Sequence, residues 1–223
     1  MMNNLFSSFN PEVYPDLPLN WLSAALILIF LPSKFWLITS KFSILFLMIL
    51  SIMIKELNII LLKKNNKKNL ILFMSLFLFI LFNNFLSLFP FIFSASSHMV
   101  FSTTLALMIF LPLMIFGWTC VFSKMCTHLV PQGSPGILIP FMVLIELTSS
   151  LIRPLTLSIR LTANLIAGHL LITLISSSMT LKMMIPTMLA QTTLMILELC
   201  VSIIQAYVFT ILSTLYSKEI YYE

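Results

Sequence analysis

Between Lys68 and Lys124 the chain runs for 55 residues without one Asp, Glu, Lys or Arg. No soluble core of ordinary size absorbs such a run, whereas a bilayer does, at ~20 apolar residues per helical span. The run is too long for one span and about right for two, over 70–93 and 99–122, with the polar "SASSH" at 94–98 as the turn between them. The period-two alternation of a membrane barrel is missing, so the spans are helices. Composition agrees: 60% of the 223 residues are hydrophobic and 9% charged, against the ~25% charged of soluble domains. The chain reads as an all-α integral membrane protein. A single membrane domain over 1–223 is expected, with about five membrane helices plus one interfacial helix.

The other elements follow from where charges and helix breakers fall. A first span is expected over 21–37, bounded by Pro18, Lys34 and Lys41. Residues 42–54 are 13 uncharged positions between Lys41 and Lys55, short of the ~17 a span needs. They predict a helix lying in the interface over 42–62, its lysines at the headgroups; the alternative is a span achieved by tilting or by thinning the bilayer. "HLVPQGSPG" at 128–136 holds two Pro and two Gly and predicts a loop. Residues 140–175 and 183–217 then read as two long helices. At 1.5 Å per residue the first is ~54 Å long, against a hydrocarbon core of ~30 Å. Both must be strongly tilted, bent or horizontal, and Pro154 is placed to bend the first.

The net charge of +5 invites a nucleic-acid reading, but the basic residues are not interleaved with aromatics on any soluble segment. Topology accounts for them. With the N-terminus outside and five crossings, Lys34, Lys41, Lys55, Lys63, Lys64, Lys67, Lys68, Lys124 and Lys218 fall inside and Lys182 alone falls outside, a strong positive-inside bias. Cys120, Cys126 and Cys200 lack the spacing of a metal site or a disulfide framework. The first twenty residues hold Glu12 and Asp16 but no Lys or Arg, unlike a signal or transit peptide. Such a chain is expected to be bacterial or made inside an organelle, and heavy use of Phe, Ile, Met, Asn and Lys points to an AT-rich, mitochondrial genome. With four glycines and no phosphate-binding loop, ATP chemistry on this chain is not indicated.

Charges inside a membrane cost about 2.5–3.5 kcal/mol each on insertion scales, so they mark ion paths or pair with each other. Here they are Glu146, Arg153, Arg160, His169 and Glu198, with Glu219 at the last helix end. Steps of seven return to within ~20° on a helix, so Glu146, Arg153 and Arg160 share a face, with Asn164 one turn further on. His169 lies nine residues past Arg160, about 180° round. On the last helix Glu198, Ser202, Gln205 and Tyr216 also share a face. Structural readings stay open for each: Glu146 with Arg153 as an ion pair, Asn164 and Gln205 as interhelical hydrogen bonds, His169 as a satisfied core residue, and Ala163, Ala167 and Gly168 as a close-approach surface. Arg160 is left without a carboxylate if Arg153 takes Glu146, and its partner is then expected on another subunit.

"IRLTANLIAGHLL" (159–171), "HLVPQGSP" (128–135), "NNFLSLFP" (83–90), "IELTSSLIRP" (145–154) and "IQAYVFTILSTLY" (204–216) resemble the a-subunit family of the F-type ATP synthases, in its mitochondrial, arthropod-like form. The resemblance runs over essentially the whole chain. It implies a proton-translocating stator subunit, not itself catalytic, whose last two helices lie against a ring of c subunits, with the peripheral stalk and other membrane subunits as further partners, and no cofactor. By motif, Arg160 is implied as the essential charge facing the ring. His169 and Glu198 are implied in one proton half-channel, Glu146 and Glu219 in the other, and Asn164 and Gln205 as polar neighbours of the arginine. Arg153 receives no assigned role. The implied location is the mitochondrial inner membrane, with the N-terminus in the intermembrane space and the C-terminus in the matrix. The residues alone also allow a self-contained ion channel or carrier, with the Glu146, Arg153 and Arg160 stripe lining its own pore.

Overall fold

The computed structural model describes residues 6, 9–12, 18–26, 29, 40–61, 67–89, 92–120, 122–130, 135–180 and 183–222. Six α-helices follow one another: α1 (Lys41–Leu61), α2 (Lys67–Ser87), α3 (Met99–Cys120), α4 (Phe122–Leu129), α5 (Ile139–Ser177) and α6 (Met184–Tyr222). Short 3-10 segments stand at Leu19–Leu26, Ala95–Ser97 and Gly136–Leu138. Among the described residues α1, α2, α3, α5 and α6 are long and apolar enough to cross a membrane. Most of the span expected over 21–37, and most of the turn-rich part of 128–136, lie outside the described residues. Positions 128 and 129 still belong to α4, so the loop begins later than the Pro and Gly content suggested.

The hairpin forms as expected. α2 and α3 are joined through the 3-10 turn at Ala95–Ser97, inside the "SASSH" stretch. His98 closes that turn, its ring 5.1 Å from that of Phe93 and 5.3 Å from that of Trp21. The Ser23 hydroxyl donates to the Phe93 carbonyl at 3.0 Å, tying the Leu19–Leu26 segment to the same end. α1, expected over 42–62, runs Lys41–Leu61. Lys55 and Glu56 lie within this single 21-residue helix, Lys55 exposed and Glu56 half-buried with its Oε2 enclosed. Met53, Leu57 and Leu61 are buried at a spacing of four, and Ser51, Lys55 and Asn58 lie on the opposite, exposed side.

α5 and α6 each run 39 residues without a break, which at 1.5 Å per residue is ~58 Å, nearly twice the ~30 Å hydrocarbon thickness. α5 passes through a buried Pro154. Pro186 falls in the first turn of α6, where its missing N–H removes no helical bond. α2 packs on α6, α3 on α5, and α5 and α6 on each other. α2 is the most enclosed, with 44% of its apolar window buried against 17% to 22% in the other spans.

What fills the interior is unlike a soluble core. Large apolar side chains such as Ile44, Met48, Met108, Ile185 and Ile196 point outward, toward lipid, while Ser102, Ser158, Thr210, Thr214 and Ser217 are fully enclosed. Small side chains let helices approach closely where lipid tails remove any hydrophobic drive to associate. Their hydroxyls stay satisfied by donating to carbonyls one turn back on the same helix: Ser158 to Leu155 at 2.8 Å, Thr214 to Ile211 at 2.8 Å and Ser217 to Thr214 at 2.7 Å.

Candidate functional site

α5 carries its ionisable residues as a ladder, and the structure sorts them into three environments. At its beginning Glu146 and Arg153, seven residues apart, meet as the spacing predicts: Arg153 Nη2 lies 3.7 Å from Glu146 Oε1. α6 adds a second carboxylate that the spacing did not bring there. Arg153 Nη1 donates to Glu219 Oε2 at 2.7 Å. The guanidinium carbon also sits 5.2 Å from the centre of the Tyr216 ring, within cation–π range. These four residues line a cavity of about 70 Å³ with Phe110 and Trp118 of α3.

Near the far end of α5 a second cavity, of about 200 Å³, opens between α5, α6 and α2. Glu198, Asn164 and Gln205 all line it, together with Ser202, Gly168 and Asn84. Both carboxylate oxygens of Glu198 are buried without a hydrogen-bond partner, and so is Oδ1 of Asn84. Gly168 is required by this arrangement, because a methyl group there would overlap the Glu198 carboxyl. His169, the next residue, is turned toward α2: its imidazole faces the backbone of Ser87, and its ring meets Phe9 edge-on at 6.1 Å. It is half-buried, its Nε2 has no partner, and it flanks the cavity from behind Gly168 rather than lining it.

Arg160 stands between the two cavities, ~10 Å along the helix from Arg153 and ~12 Å from Gly168 at 1.5 Å per residue. It is exposed, as are Ile159, Ala163, Asn164 and Ala167 on either side, and among the described residues it makes no ion pair. A guanidinium cannot shed its charge, and in a membrane span it needs a counter-charge. Within this chain Arg153 takes both nearby acids and Arg160 takes neither.

The resemblance paired Glu198 with His169 and put Asn164 and Gln205 beside Arg160; the structure brings Glu198, Asn164 and Gln205 to one cavity that His169 does not line, and two features lay outside the sequence reading. Asn84 was visible as half of an Asn83–Asn84 pair in the uncharged 55-residue run, the kind of polar intrusion that marks function in a membrane helix. The link from Arg153 to Glu219 crosses 66 residues of sequence, and no local spacing announces it.

A helical membrane subunit with an outward, unpaired arginine flanked by two acid-lined cavities is the class of protein that fold and site define. Residues 18–218 match the family described as ATP synthase A chain. The chain is 48% identical over 223 residues to the ATP synthase subunit a of Drosophila yakuba, covering 99% of this chain and 100% of that one. It is 47% identical over 225 residues to those of Aedes aegypti and Locusta migratoria, at the same coverage. The protein belongs to the ATP synthase A chain family. Every candidate site residue except Glu219 falls inside the matched range.

Proposed function

We propose that this chain is the proton-translocating stator subunit of an F-type ATP synthase of the mitochondrial inner membrane, working against a rotating ring of c subunits. The observation that carries the reading is Arg160, exposed and without an ion pair among the described residues, between a cavity holding Glu198 and a cavity holding Glu146 and Glu219. A proton enters on the intermembrane-space side by way of His169 and Glu198 and is passed to a ring carboxylate, with Asn164 and Gln205 as polar neighbours. The neutralised carboxylate turns through lipid. On completing the circuit it releases its proton toward Glu146 and Glu219 on the matrix side and passes Arg160 as an anion.

Arg160 has two tasks in this scheme. Its permanent charge attracts the bare carboxylate, and the same charge repels a proton that would hop straight from one cavity to the other. Lysine would serve less well, because a buried ammonium loses its proton readily. One charge crossing the membrane releases ~2.3 kcal/mol per 100 mV, which rotation carries to ATP synthesis on other subunits; the peripheral stalk holds this chain still.

The N-terminus lies in the intermembrane space and the C-terminus in the matrix, with α1 along the matrix surface. That placement keeps nine of ten lysines on one side of the membrane. The stripe of Ser51, Lys55 and Asn58 opposite the docked residues of α1 supports it.

Arg160→Ala in the assembled complex tests the reading. Assembly is expected to survive and proton-driven ATP synthesis to vanish; synthesis at the native rate would rule it out. Proton transport by the purified chain alone in liposomes would replace it with a self-contained carrier.

A further inference from the structure

The mechanism above leaves Arg153 without a task, yet Arg153 is the residue that organises the cavity on the matrix side. One nitrogen of its guanidinium holds Glu219 at 2.7 Å and the other faces Glu146 at 3.7 Å. The Tyr216 ring lies against its plane at 5.2 Å. The two acids come from different helices and have no other hydrogen-bond donor in common among the described residues. We propose that Arg153 is a positioning residue for proton release: it holds the carboxylates of Glu146 and Glu219 on one wall of the same small cavity, so that a proton leaving the ring meets both acids as a single relay.

Three features favour arginine for this task. Its planar fork presents separate N–H groups to two carboxylates at once, where an ammonium is a single point. The aromatic face of Tyr216 limits rotation of that plane. The cavity of about 70 Å³ has room for a short file of water between the acids, since one water needs ~10–15 Å³. Without the fork, Glu219 near the end of α6 is free to swing away from Glu146 on α5, and the relay becomes two separate acids.

The inference rests on the reading of Glu146 and Glu219 as the release path, and the experiment separates the two. ATP synthesis driven by a proton gradient is measured in the assembled complex carrying Arg153→Met, Arg153→Lys, Glu219→Gln, or Arg153→Met with Glu219→Gln. The Met variant is expected to lose about tenfold, and the Lys variant, which keeps one ionic contact, to recover to within about threefold of native. Because Arg153 acts through Glu219, adding Arg153→Met to Glu219→Gln is expected to cost nothing further. If the two losses multiply, Arg153 is a structural clamp and the proposal is overturned. It is also overturned if the Met variant stays within about twofold of native. Native synthesis by Glu219→Gln means that the release path itself has been misread. Should the Met variant fail to assemble, Arg153→Gln takes its place with the same expectations.

Discussion

The two cavities beside Arg160 both hold carboxylates but partner them differently. Toward the beginning of α5, two carboxylates share one guanidinium in about 70 Å³. On the other side a single carboxylate, Glu198, has no partner for either oxygen in a cavity of about 200 Å³ that sets three amides and a serine among mostly apolar side chains. The larger cavity leaves a buried carboxylate without a partner; the smaller ties two more exposed acids to each other through an arginine. The difference lies in which cations α5 supplies: Arg153 meets acids of this chain, while Arg160 is exposed and makes no ion pair among the described residues; under the proposed function the first serves release and the second faces the ring.

That contrast is broken most severely at Arg160. Arg160→Ala is expected to reduce proton-driven synthesis about a thousandfold, the equivalent of ~4 kcal/mol for removing one partner of a desolvated ion pair; immunoprecipitation of the intact complex checks that assembly persists. Next comes the open cavity. Glu198→Gln keeps the shape and removes the proton acceptor, and synthesis should fall about a hundredfold, as should ATP-driven acidification of inverted vesicles. Gly168→Ala tests position rather than chemistry, since the new methyl pushes the Glu198 carboxyl from its place; a loss of about tenfold is expected. Glu198→Asp, a shorter acid, should recover part of that loss, and a Gly168→Ala variant with native rates would show that Glu198 does not need its observed place. The smallest effect is predicted away from both cavities. Thr214→Val removes a fully buried hydroxyl that bonds within its own helix, so turnover should stay within about twofold while thermal stability in detergent falls by ~0.6–1 kcal/mol.

The sequence was most informative where one-dimensional spacing and three-dimensional neighbourhood coincide. The uncharged run between Lys68 and Lys124 announced a hairpin, and the turn stands at Ala95–Ser97 inside "SASSH". Glu146 and Arg153, seven residues apart on one helix, meet as the 3.6-residue period requires. Excess length foretold that α5 and α6 cannot stand upright in a bilayer. The helix expected over 42–62, with Lys55 and Glu56 inside it, stands at Lys41–Leu61. Reasoning failed where contact depends on how separate helices pack. The approach of Glu219 to Arg153 is set by the packing of α5 against α6, as is the seating of Glu198 against Gly168. The side occupied by His169 was read as half a turn from Arg160; what the helical period did not supply is its neighbour, the backbone of Ser87 on α2.

The outward arginine also bears on the life of the subunit before it is assembled. A copy of this chain alone in a bilayer carries a permanent positive charge at Arg160, at a cost of about 2.5–3.5 kcal/mol that no ion pair among the described residues offsets. Docking against a partner that brings an acid removes that penalty. Under the proposed function, the charge that keeps protons from short-circuiting the assembled machine would therefore also distinguish an orphan from an assembled subunit, the lone copy being the less stable of the two.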